Sequence, residues 1–76
     1  MVSHMPAVNG KEIRKRRVEL GLKLGEFAEA SRVAYKTVAN IESAGSQPCA
    51  IEVVHRFAKI LGTKPENLLL KTDAAA

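Results

Sequence analysis

Hydrophobic residues recur at spacings of three and four along most of this chain, the pattern of helices that bury one face. The segment 51–61 shows the pattern best, and Gly62 ends it. Its predicted buried stripe consists of Ile51, Val54, Phe57, Ala58 and Leu61. No segment alternates apolar and polar residues with a period of two, so no strand is predicted.

Capping residues and glycines set the limits of four further helices. Asn9-Gly-Lys-Glu12 has the form of a capping box, which predicts a helix from Gly10 to Leu20 that Gly21 terminates. The other three helices are predicted over 24–31 with Leu24, Phe27 and Ala28 inward, over 35–43 with Ala34, Val38 and Ile41 inward, and from the capping-box pattern Thr63-Lys-Pro-Glu66 through Leu69. Residues 44–48 are predicted to form a loop. The fold class is therefore all-α, a compact bundle of five short helices.

The 76 residues suffice for one domain. We expect residues 1–8 to be a cloning remnant and disordered N-terminus, residues 9–70 to form the domain, and residues 71–76 to be a frayed tail. The consecutive residues Leu68, Leu69 and Leu70 cannot all face one core, so at least one is expected to be exposed in a monomer.

Charge indicates the kind of partner. The net charge is +4, and the whole excess lies in residues 1–41, where eight Lys or Arg outnumber four Glu. An uneven basic distribution favours a polyanionic partner. The longest apolar run has three residues, which excludes a transmembrane helix or signal-peptide core within the sequence.

The sequence lacks the parts of an enzyme. It has no Gly-rich phosphate loop, no paired-carboxylate site and no supported Ser-His-Asp or Cys-His arrangement. Cys49 is the only cysteine and can form neither an internal disulfide nor a zinc site. We expect no catalysis, no cofactor, no metal, no membrane contact and no small-molecule substrate.

The second and third helices, joined only by the turn 31–34, have the spacing of a helix-turn-helix. An ordered set of residues runs from Ile13 to Leu69: Ile13-Arg14-x-x-Arg17, Leu20-Gly21-Leu22, Glu26-Phe27-Ala28, Val33, Thr37-Val38, Ile41-Glu42, Pro48, Ile51, Phe57 to Gly62 and Glu66 to Leu69. In this set the chain resembles the phage-repressor (Xre/Cro-like) helix-turn-helix family. The resemblance implies a lambda-repressor-like fold and a cytoplasmic regulator of bacterial or phage origin. It also implies sequence-specific binding to double-stranded DNA, expected as a homodimer on a palindromic operator.

The resemblance also implies site residues. It places base contacts on a recognition helix at about residues 35–43, from Tyr35, Lys36, Ala39 and Asn40. It places phosphate contacts at Arg14, Lys23, Thr37 and Ser46, and a structural ion pair between Arg17 and Glu42. The chemistry suits these roles, because an Asn amide pairs with adenine, Lys with guanine, and an Ala methyl can make only an apolar contact, for example with a thymine methyl.

Several positions depart from the family pattern. Lys23-Leu24 replaces the usual Ser-Gln or Thr-Gln, and the Gln typically binds a phosphate. Gly25 replaces a helix former, and Ala34 replaces the small polar cap of the recognition helix. These departures keep an alternative open, a protein-interaction or antitoxin-like module of the same fold with weakened DNA binding.

Overall fold

The computed structural model describes residues 6–70, with the side chain of Ser46 excepted. In chain order the elements are strand β1 (Ala7–Asn9), helices α1 (Gly10–Glu19), α2 (Leu24–Ser31) and α3 (Tyr35–Ala44), strand β2 (Ser46–Pro48), helix α4 (Ile51–Leu61) and a 3-10 helix (Pro65–Leu68). The helical prediction is therefore confirmed for four α-helices, and the fifth segment is a single 3-10 turn.

A small antiparallel sheet corrects the all-α prediction. Strands β1 and β2 pair with Val8 opposite Gln47, so part of the predicted loop 44–48 is a strand. Leu69 forms a bridge to Val8 on the other edge, and the Leu70 backbone N–H donates to the carbonyl of Ala7 at 3.0 Å. Three-residue strands are too short for a period of two to be detected, so the sequence pattern missed them.

The same sheet corrects the expected start of the ordered domain. Ala7 and Val8, assigned above to a disordered N-terminus, form β1, and the Val8 side chain is fully buried. The Cys49 backbone N–H donates to the carbonyl of Pro6 at 3.0 Å, which extends the pairing by one residue. The remaining predictions for the termini, residues 1–5 and 71–76, lie outside the described residues.

The start of α1 is capped on one side only. The Asn9 side-chain oxygen accepts a hydrogen bond from the Glu12 N–H at 3.2 Å, as the sequence predicts. The Glu12 carboxylate accepts a hydrogen bond from Arg16 Nε at 2.7 Å rather than from the Asn9 backbone N–H, so the capping box is incomplete. The helix ends at Glu19, one residue before the predicted end, and Gly21 has a φ of 75°.

The core lies where α2, α3 and α4 meet under β1. Phe27 and Phe57 form its centre, with ring centroids 5.0 Å apart. The other fully buried large side chains are Val8, Ile13, Val38, Ile41, Val54 and Leu68. Two predicted core residues are exposed, and a third, Leu24, is only half-buried. Ala34 is exposed because it precedes α3 as its cap, and Ile51 is 46% exposed because it opens α4 at the edge of the core.

The C-terminal leucines are more covered than expected. Leu68 is fully buried, and Leu69 and Leu70 are each partly buried against the edge of β1. The prediction that one of them is exposed is therefore wrong. The predicted capping box is also wrong, because Thr63 Oγ1 accepts from the Asn67 amide at 3.0 Å, and the 3-10 helix ends at Leu68 rather than Leu69.

Within residues 6–70, no helix combines the length and apolar character that crossing a membrane requires.

Candidate nucleic-acid interface

Helix α2 and helix α3 are connected by a tight turn that their own backbone stabilises. The Ser31 hydroxyl is buried and donates to the carbonyl of Phe27, one turn earlier in α2, at 2.7 Å. This buried polar group therefore has its hydrogen-bond partner within the same helix. The Val33 N–H donates to the carbonyl of Ala28 at 3.0 Å, so the chain reverses immediately after α2. Val33 then packs on the core, which holds the start of α3 close to α2.

The turn contains an unfavourable backbone conformation. Arg32 has φ 59° and ψ 41°, the left-handed region, and it alone among the described non-glycine residues has a positive φ. A side chain resists this region because its Cβ approaches the carbonyl oxygen. The surrounding helices therefore impose the turn, and the residue at position 32 adapts to it.

The start of α2 is better capped than its sequence suggests. Lys23 precedes the helix and has no acceptor in its side chain. The Glu26 carboxylate instead accepts from the Lys23 backbone N–H at 2.8 Å, half of a capping box. This arrangement leaves the exposed Lys23 ammonium free to face outward beside the first turn of α2.

An ion pair joins α1 to the end of α3. Arg17 donates from Nε to Glu42 Oε2 at 2.8 Å and from Nη2 to Oε1 at 2.9 Å. Its Nη1 donates to the carbonyl of Leu22 at 2.8 Å, so one guanidinium also holds the turn between α1 and α2. The Arg17 and Glu42 side chains are only 12% and 7% exposed. The hydrogen bonding that Arg17 donates to the Glu42 carboxylate is the main reason that the pKa of Arg17 is raised.

A close backbone approach locks the same two helices. Gly10, the first residue of α1, is buried, and its N–H donates to the carbonyl of Gly45 at 3.2 Å. A Cβ at position 10 would overlap the backbone carbonyl of Ile41 in α3. Only glycine therefore allows α1 and α3 to meet at this distance, a requirement that the capping-box pattern did not indicate.

The four residues expected to contact bases lie on α3. Tyr35 is 59% exposed, Lys36 and Asn40 are exposed, and Ala39 is half-buried. Lys36 and Asn40 are one helical turn apart, as are Tyr35 and Ala39, so the pairs form two neighbouring strips on the outer face of the helix.

The residues expected to contact phosphates are distributed around these strips. Arg14 on α1 lines a shallow groove together with Ala39 and Ser43 of α3, so the structure brings its charge next to that helix. Lys23 precedes α2, and Thr37 is exposed on α3. Ser46 lies in strand β2, and its side chain falls outside the described part of the chain.

The structure adds residues to this surface that sequence reasoning did not assign to it. Leu24 lines the groove of Ala39 and Arg14, and the Tyr35 ring lies over Gly25. The replacement of the family's Gln by Leu24 was visible in the sequence, but its contact with α3 was not. Over residues 6–70, no three His, Cys, Asp or Glu side chains are grouped as metal binding requires.

Comparison with known proteins agrees with this architecture. The chain belongs to the helix-turn-helix domain family, whose model matches residues 10–70. No curated protein matches the sequence.

Solved structures of the regulator SinR are similar in fold to most of this chain. SinR in its complex with the SinI protein superposes with a TM-score of 0.77 at 27% identity, over 83% of this chain and 61% of that one. The N-terminal DNA binding domain of SinR from Bacillus subtilis gives a TM-score of 0.75 at 26% identity, over 86% and 94% of the two chains. SinR, described as the master regulator for biofilm formation, in complex with DNA gives 0.71 at 26% identity, over 75% and 90%. This chain thus spans less than two thirds of the SinR chain in the SinI complex.

Proposed function

We propose that this domain binds double-stranded DNA sequence-specifically as part of a transcriptional regulator, with α3 in the major groove. The observation that carries the proposal is the outer face of α3, where Lys36 and Asn40 are exposed one turn apart on a helix that the rest of the domain holds rigidly. An α-helix fits the major groove, and the side chains on its outer face then reach the base edges.

The charge around α3 suits a nucleic-acid backbone. Arg14 lies beside α3, and Lys23 lies at the start of α2, so both cations flank the face that carries Lys36 and Asn40. Phosphate contacts of this kind orient a protein on the duplex, whereas contacts to base edges distinguish sequences. We assign Arg14, Lys23 and Thr37 to the first role, and Lys36, Asn40, Tyr35 and Ala39 to the second.

The similarity to SinR supports the same function, since that protein has been solved with DNA bound and its N-terminal domain is described as DNA-binding. We propose further that two copies bind a palindromic operator, which would place their recognition helices about 34 Å apart, one turn of DNA. A regulator of this kind would act in the cytoplasm of a bacterium or on behalf of a phage, without a cofactor.

Selection from random duplex DNA followed by a gel shift tests the proposal. Enrichment of a defined site supports sequence-specific binding, and enrichment of an inverted repeat supports the dimer. If the wild-type domain binds no duplex at about 50 mM salt, where electrostatic binding is strong, the proposal is wrong and the protein-interaction alternative is favoured. Lys59→Glu, which reverses an exposed charge in the last turn of α4 rather than on α3, is the charge control.

A further inference from the structure

The face of α3 proposed to enter the major groove is not polar throughout. Tyr35 and Ala39 form one strip, and Leu24 and Gly25 at the start of α2 lie beside it. We call these four residues the apolar recess. The neighbouring strip of Lys36 and Asn40 carries the hydrogen-bonding groups, so the face presents two kinds of surface side by side.

Gly25 leaves room for the Tyr35 ring beside the first turn of α2. A Cβ built at position 25 would stand 3.9 Å from both Cδ2 and Cε2 of Tyr35, an ordinary van der Waals separation. One side of the ring is thus covered by the first turn of α2, while 59% of the residue is exposed. A methyl group fits this space, but a larger side chain at position 25 would displace the ring.

Leu24 and Ala39 complete the recess. Leu24 is half-buried and packs on the core, and it lines one groove with Ala39. Arg17 and Glu42 also line this groove but bind each other, and Arg14 and Ser43 contribute the remaining polar groups. Leu24 and Ala39 therefore give this groove its carbon surface. Tyr35, one turn before Ala39, adds its ring carbons and a single hydroxyl group.

We propose that the apolar recess binds the C5-methyl group of a thymine in the major groove, with Gly25 as the residue that positions the Tyr35 ring. The inference rests on the proposed function. The thymine methyl is the one apolar group that the four base pairs display in that groove. A carbon surface next to Lys36 and Asn40 therefore selects thymine at one position of each half-site, while those two side chains select the adjacent bases.

Replacing thymine by deoxyuridine removes that methyl group alone and tests the recess directly. Each thymine of the selected site is exchanged for deoxyuridine one at a time. At one position in each half-site the single exchange is expected to weaken binding about fourfold, equivalent to about 0.8 kcal/mol for one buried methyl group. In Tyr35→Ala this thymine-to-uracil ratio should fall to about one. In the matched control Asn40→Ala the ratio should persist although overall affinity falls.

The outcomes separate this inference from the proposed function. The thymine contact is wrong if the domain binds a specific site but every thymine-to-uracil exchange changes the affinity less than twofold, or if the selected site contains no thymine. The proposed function then stands. Absence of any duplex binding overturns both.

Intrinsic fluorescence tests the positioning role without DNA. Tyr35 is the only tyrosine and the chain has no tryptophan, so tyrosine emission reports on this ring alone. Gly25→Leu should increase acrylamide quenching and reduce the thymine-to-uracil ratio, whereas Lys59→Ala, on the exposed side of α4, should change neither. If a folded Gly25→Leu variant matches the wild type in both measurements, Gly25 does not position Tyr35.

Discussion

Arg17 and Glu42, 25 residues apart in the chain, meet through two parallel hydrogen bonds of 2.8 and 2.9 Å. A bidentate ion pair between a guanidinium and a carboxylate is both strong and geometrically specific. Because Arg17 also binds the Leu22 carbonyl, the pair connects α1, the turn before α2 and the end of α3. The orientation of α3 therefore depends on a largely buried charge pair.

Glu42→Ala should lower the free energy of unfolding by about 3 kcal/mol, because it leaves the Arg17 charge desolvated without its partner. The matched control is Glu12→Ala, which removes the Glu12–Arg16 pair within α1, where the side chains are 27% and 32% exposed. That change should cost less than about 1 kcal/mol. Urea denaturation of both variants checks the difference, and equal midpoints for Glu42→Ala and the wild type would contradict the structural role.

Gly10→Ala should destabilise the domain by about 2–3 kcal/mol, because the added Cβ meets the Ile41 carbonyl and forces α1 away from α3. Gly25→Ala is the control, since its Cβ has room and alanine favours a helix interior by up to about 1 kcal/mol. The midpoint of thermal or urea denaturation should therefore fall for Gly10→Ala and rise for Gly25→Ala. A Gly10→Ala variant as stable as the wild type would contradict the close contact of α1 and α3.

Arg32→Gly should stabilise the fold by about 0.5–1 kcal/mol. Glycine removes a left-handed strain of about 1–2 kcal/mol, and the greater freedom of the unfolded chain offsets part of that gain. Arg32→Ala removes the same charge but keeps the strain, so it should show no gain. Chemical denaturation distinguishes the two, and a matching rise in both variants would point to charge rather than backbone strain.

Alkaline pH should weaken the domain through Cys49. Burial raises the pKa of this thiol, because desolvation penalises the thiolate. Its contribution to stability is complete below the unfolded-chain thiol value of about 8.5 and is lost as the pH rises toward the folded-state pKa. Above about pH 8.5, Cys49→Ala should thus lose less free energy of unfolding than the wild type as the pH rises. Parallel pH profiles for the two proteins would rule this contribution out.

On the selected operator, Lys36→Ala and Asn40→Ala should each cost about 1–3 kcal/mol and relax the preference at one base pair, because they remove hydrogen bonds to base edges. Arg14→Ala and Lys23→Ala should weaken all duplexes alike and reduce the salt slope by about one unit, because they remove phosphate contacts. Gel shifts at several salt concentrations on specific and random duplexes separate the two groups. Unchanged affinity and base preference in both α3 variants would falsify this assignment of roles.

The sequence by itself determined the helices and the family. Helices α2 and α4 span the predicted residues, and α1 and α3 differ from prediction by one residue, because apolar spacing, Asn9 and the terminal glycines act within a few residues of the chain. The ordered set of matching residues then predicted the helix-turn-helix, which the family model confirms. The Arg17–Glu42 pair was expected only through that resemblance, since no local pattern joins positions 25 residues apart.

Tertiary structure alone decided what depends on partners distant in the chain. Strands β1 and β2 exist because each supplies the backbone partners of the other, and neither segment has a pattern of its own. The need for glycine at position 10 arises from the Ile41 carbonyl, and the Tyr35 ring lies next to Gly25 of another helix. Local propensities act along the chain, whereas these contacts form only once α1, α2 and α3 have packed, and so they were decided by the assembled core.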